Sequence, residues 1–111
     1  LKRRCLYHWI DHPDFERELE IVRLRAPEVS EALAREVAAA VASLRDLDLY
    51  KRPGVAETID WAQALARLGR VHLDDAAVIA TLGTVLKYRE DQQRVRDAVP
   101  EIVADAIANN A

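Results

Sequence analysis

Residues 51 to 62 read Lys-Arg-Pro-Gly-Val-Ala-Glu-Thr-Ile-Asp-Trp-Ala, so that Glu57, Thr58 and Asp60 crowd the opening of an otherwise apolar helix, behind a basic pair and a Pro-Gly turn. Polar side chains set where helix N–H groups are free either cap the helix or face a ligand, and composition alone leaves both open. A second candidate is Arg3-Arg4, ahead of the run Cys5-Leu6-Tyr7-His8-Trp9-Ile10. A guanidinium at the edge of a sheet can reach a carboxylate or a phosphate, and a solvated basic run is the plainer alternative.

The remaining reactive residue types form no constellation. His8, Asp11 and His12 offer nitrogen and oxygen donors without a third strong ligand nearby, so no metal site is expected. His72 stands alone in a loop, and neither Ser30 nor Ser43 has a histidine at a useful spacing for triad chemistry. Cys5 reads as a small buried hydrophobe, and the pairs Asp46/Asp48 and Asp74/Asp75 as turn and cap residues. Gly54, Gly69 and Gly83 are too far apart for a P-loop or a dinucleotide fingerprint.

Composition narrows the class. At 111 residues, 50% hydrophobic and 32% charged, the chain is one globular domain with a single core. A net charge of −3 with interspersed signs argues against nucleic acid as the main partner, because phosphate binding needs a basic face. One cysteine excludes an internal disulfide and suits a reducing cytoplasm. No apolar run approaches a signal or membrane-spanning length. The chain opens on Leu1 and holds no methionine, so it is expected to be cut from something longer.

The elements that must position these residues are mostly helices. Cys5 to Ile10 reads as a short strand ending at Asp11-His12-Pro13, and without a partner in the sequence it is an orphan strand. Pro13 opens a helix with Phe15, Leu19, Val22 and Ala26 at helical spacing, which Pro27 ends. Ser30 is placed as N-cap of a second helix whose buried stripe is Leu33, Val37, Val41 and Leu44. A third helix runs from about Ala56 to Leu68 with Gly69 as its C-cap, buried on most sides. A fourth begins at Asp74, with Leu73 and Val78 as a staple, and its central Gly83 is expected to allow close helix packing. The polar run Lys87 to Asp97 continues or immediately follows that helix, and Pro100 opens a last segment. The expected fold is all-α, with four to five helices.

Three blocks together carry a resemblance. They are Arg3-Arg4-Cys5-Leu6-Tyr7-His8-Trp9-Ile10-Asp11, then Leu47-Asp48-Leu49-Tyr50-Lys51-Arg52-Pro53-Gly54-Val55-Ala56-Glu57-Thr58-Ile59-Asp60-Trp61, then Leu82-Gly83-Thr84-Val85-Leu86-Lys87-Tyr88-Arg89. Over about Leu1 to Val95 the chain resembles the C-terminal part of MoxR-type AAA+ ATPases. More narrowly, it is similar to the branch encoded beside von Willebrand factor A-domain proteins and linked to carbon monoxide dehydrogenase maturation.

The resemblance implies that residues 1–12 are the last strand of the ATPase core and its hinge, 13–95 the helical lid domain, and 96–111 a C-terminal helix or tail. It implies that Arg4, or Arg3 in its place, is an arginine finger reaching the ATP of a neighbouring subunit. Ile10, Asp11, His12 and Pro13 would border the adenine, with His12 standing where an aromatic is expected. Glu57, Thr58 and Asp60 fall at the sensor-2 position, where Thr58 replaces the arginine of better-known MoxR proteins and Arg52 is a possible substitute.

On this reading the parent is an ATP- and Mg-dependent cytoplasmic chaperone for remodelling or metal-centre maturation. Its expected partners are neighbouring subunits in a hexamer and a von Willebrand factor A-domain protein. The nucleotide-binding motifs would lie upstream of Leu1, so the chain itself is expected to bind no cofactor and to hydrolyse no ATP. The alternative is a free-standing all-helical interaction module whose Trp61 helix docks a partner peptide.

Overall fold

The computed structural model describes residues 13–110, and the side chains of 15–108. The expectations on Arg3, Arg4, Ile10, Asp11, His12 and the leading strand lie outside the described residues. Six helices follow one another: α1 (Pro13–Arg25), α2 (Glu31–Arg45), α3 (Val55–Arg67), α4 (Asp75–Val85), α5 (Arg89–Arg96) and α6 (Val99–Asn110). Among the described residues there is no strand, and the fold is all-α.

The central element is α2, which buries Leu33, Ala34, Glu36, Val37, Ala38, Ala39, Ala40, Val41 and Leu44. Its run of alanines lets neighbouring backbones approach, and α6, α1 and α3 all pack against it. Ser30 caps it as expected, its Oγ accepting from Leu33 N at 3.1 Å and donating to Val71 O at 3.0 Å. One hydroxyl thereby starts α2 and holds the α3–α4 loop against it.

Helix α3 ends in a left-handed glycine, as the sequence indicates. Gly69 has φ +80°, Gly69 N donates to Ala66 O at 2.9 Å, and Arg70 N reaches back to Leu65 O at 3.2 Å. The expected Asp74 cap is present, with Oδ1 accepting from Ala77 N at 2.8 Å. Between α3 and α4, Trp61 is fully buried and its indole N–H donates to Thr81 Oγ1 at 2.7 Å.

Two expectations are corrected. Four to five helices become six, because of the two readings of the polar run from Lys87 it is the second that holds, and the run forms a separate helix just after α4. Leu86 and Tyr88 are extended, and α5 then starts afresh at Arg89. The break lets Asp91 turn inward to take Tyr50 N at 2.8 Å and Lys51 N at 3.1 Å on its two carboxylate oxygens. Among the described residues Gly83 makes no close helix packing, since nothing lies within 4 Å of where a Cβ would stand and the residue is exposed.

The last segment, expected as a C-terminal helix or tail, is the helix α6. Val99, Ile102, Val103 and Ala106 of α6 join the core shared by α1 to α4, and Pro100 sits in its first turn, where a missing N–H costs little.

Candidate functional site at the start of helix α3

The polar stretch that opens α3 is stitched to two other helices by buried charge. Glu18 of α1 lies among Leu19 and Val22 on the inner face and is 6% exposed. Arg45, in the last turn of α2, closes both terminal nitrogens on it, at 2.6 Å to Oε1 and 2.7 Å to Oε2. Its Nε donates to Pro53 O at 2.8 Å. Thr58 is fully buried and its hydroxyl donates to Glu18 Oε2 at 2.8 Å, with Gly54 O a second acceptor at 3.0 Å. The carboxylate of Glu18 is thus answered by a planar guanidinium and a hydroxyl, the arrangement that makes a buried charge tolerable.

The turn itself is equally committed. Arg52 Nε donates to Arg45 O at 2.8 Å, taking up a carbonyl at the end of α2. Glu57 Oε1 accepts from Gly54 N at 2.9 Å, which is half of a capping box, since a glycine cap has no side chain to return the bond. The Gly54 N–H, then Glu57's own N–H, hold the Glu57 carboxyl below its ordinary range, with Lys87 and Lys51 adding a smaller electrostatic contribution.

A cleft of about 310 Å³ opens beside this turn, lined by Arg17, Glu18, Ile21, Arg45, Gly54 and Val55. Of its two guanidiniums, that of Arg45 is spent on Glu18, while exposed Arg17 makes no ion pair among the described residues. The positive end of α3 faces the same region. An anionic group placed there would meet a free guanidinium and a helix N-terminus.

Of the residues singled out from sequence, Glu57 and Thr58 come together here, but in different roles. Glu57 caps the turn and Thr58 points inward to Glu18, while Asp60 is exposed further along α3. Arg52 is present at the turn and bonded to the backbone of α2. Sequence reasoning missed Glu18, Arg45 and Arg17. The available signal was Glu18, which stands three residues after Phe15 and four before Val22, an acidic side chain inside an apolar stripe. Glu36 carries the same signal between Leu33 and Val37. It is 1% exposed and accepts from Leu73 N at 2.7 Å, with His72 Nδ1 at 2.9 Å. His72, which reads from sequence as standing alone in a loop, is 61% exposed by its side chain and bonded to that carboxylate.

Among the described residues no group of histidine, cysteine, aspartate and glutamate could hold a metal, and no helix is long and apolar enough to cross a membrane. Comparison with protein-family models, with curated proteins and with solved structures gives no match to this chain.

Proposed function

We propose that the chain is the helical lid of a MoxR-type AAA+ ATPase that works as an ATP-driven remodelling or metal-centre-maturation chaperone. The observation that carries this reading is the Glu18–Arg45–Thr58 network. A lid must transmit a change at the nucleotide to the hinge, which requires that the helix opening nearest the nucleotide be rigidly joined to the first lid helix. Here the α3 opening is tied to α1 through a buried charge and to the end of α2 through the same guanidinium. Helix α1 in turn follows directly on residues 1–12, the proposed hinge and last core strand.

On this reading the cleft beside α3 faces the ATP held with Mg by the core. Arg4, or Arg3, reaches the neighbouring subunit's phosphates, and Ile10 to Pro13 border the base. Glu57, Thr58 and Asp60 then act as a departed sensor. Thr58 stabilises the position of the helix through Glu18, and any direct phosphate contact falls to another cation of the cleft.

The test uses the assembled parent protein. Arg4→Ala is expected to lower turnover by on the order of 10³-fold or more while ATP still binds. Unchanged turnover in that variant sinks the finger, and no ATP binding by the unmutated parent sinks the whole reading.

A further inference from the structure

Helix α4 is apolar on two faces. Ala77, Val78, Thr81, Leu82 and Val85 are buried against the rest of the bundle. Ala76, Ile79, Ala80 and Gly83 recur at i, i+3, i+4 and i+7 on the opposite side, and all four are exposed, Ile79 at 41%. From Ala76 to Leu86 no charged residue interrupts the helix or its exit. Solvent-facing helical surface ordinarily carries charge, as the outer face of α1 does with Glu16, Arg17, Glu20 and Arg23.

Gly83 adds an independent reason to look for a partner. An exposed mid-helix glycine costs about 1 kcal/mol relative to alanine, and nothing among the described residues comes near enough to require it. A bare stretch of backbone beside Ile79 and Ala80 is the surface on which a second helix can lie close.

The charges at the two ends of α4 identify the occupant. Asp74 is paired with Arg70 at 3.2 Å, but exposed Asp75 has no ion pair among the described residues. Exposed Lys87 follows the last turn and acts on Glu57 only through its charge. Two α4 helices packed antiparallel about a two-fold axis bring Asp75 of each copy within reach of Lys87 of the other. The same arrangement sets their macrodipoles side by side and antiparallel, so that the positive end of each lies next to the negative end of the other. A parallel pairing would oppose like charges at both ends.

We infer that the outer face of α4 is a self-association surface, and that its partner is a second copy of this chain packed antiparallel through Ile79, Ala80 and Gly83. Eleven residues of helix span roughly 16 Å, and one such seam falls short of the ~800 Å² per partner of a standard stable interface. The association is therefore weak and concentration-dependent. It needs no nucleotide and stands independently of the ATPase reading.

Sedimentation of the 111-residue chain at low salt, from about ten micromolar to about 1 mM, tests it. The average mass is expected to rise toward that of a dimer. Ile79→Glu is expected to stay monomeric with unchanged helical circular dichroism, since the side chain it replaces is on the surface. Asp75→Lys and Lys87→Asp should each weaken association several-fold, up to about tenfold, and the double reversal should restore it. A chain still monomeric at the highest concentration overturns the proposal. So does a dimer indifferent to Ile79→Glu, or a double reversal no better than either single change.

Discussion

Arg45 and Glu18 meet through two parallel hydrogen bonds, at 2.6 and 2.7 Å, across 27 positions of sequence and from two different helices. Glu18 is 8% exposed by its side chain and Arg45 is 32% exposed, so the carboxylate is the partner that cannot return to water if the pair is broken. Arg45→Met should therefore cost more than a surface pair would, roughly 2–3 kcal/mol once the partial exposure of the guanidinium is allowed for. The double variant Glu18→Leu with Arg45→Met should recover part of that loss. Urea denaturation of the two single variants and the double closes the cycle, and additive losses would mean that the pair contributes nothing.

Trp61→Phe keeps most of the buried ring and removes the N–H that reaches Thr81. The hydroxyl of Thr81 still donates to Ala77 O at 2.8 Å, so no donor is left unpaired. The expected loss is about 1–2 kcal/mol, from one hydrogen bond and the smaller ring. A drop in thermal midpoint equal to that of Trp61→Ala would refute this division.

Two glycines should respond to alanine with opposite signs. At Gly69, φ +80° is a left-handed conformation, and Gly69→Ala should destabilise by about 1 kcal/mol. At Gly83 the backbone is helical and the space open, and Gly83→Ala should stabilise by about 0.5–1 kcal/mol. Chemical denaturation of both variants is sufficient, and a loss at Gly83 would show a contact there.

Glu57 predicts an acid dependence. Its folded-state pKa lies below the ordinary glutamate value of about 4.3 because its carboxylate accepts the Gly54 N–H. A lowered carboxylate pKa stabilises the fold above the unfolded value and loses that contribution as pH falls through the folded value. Glu57→Gln should therefore be less stable than the parent chain by about 0.5 kcal/mol at pH 7 and should draw level in strong acid. Thermal midpoints of the two chains across the acid range check this, and parallel curves would refute it.

How far the sequence could be read follows from which interactions are local. The caps at Ser30 and Asp74 and the left-handed end at Gly69 involve neighbours three to five residues apart, and each stands where its residue type indicated. Whether the run from Lys87 continues α4 or follows it stayed open in the sequence, because the contacts that go with the break, Asp91 to Tyr50 N and Lys51 N, lie about forty residues apart. For the same reason Glu57 and Thr58 could be located together as a polar helix start, but not divided into a cap and an inward-facing hydroxyl. That division is made by Glu18, forty residues from Thr58. Gly83 was misjudged in the other direction, since a sequence registers the absence of a side chain without showing which molecule would fill the space.

The hydroxyl of Ser30 takes part in two bonds at once, accepting from Leu33 N and donating to Val71 O. Six residues after Ser30, Glu36 holds Leu73 N, so both ends of the short segment between Val71 and Leu73 are anchored on the opening turns of α2. Fraying of α2 and release of that loop are thus one opening event with a single free energy. In hydrogen exchange, the amides of Leu33 and Leu73, forty residues apart, should show matched protection factors.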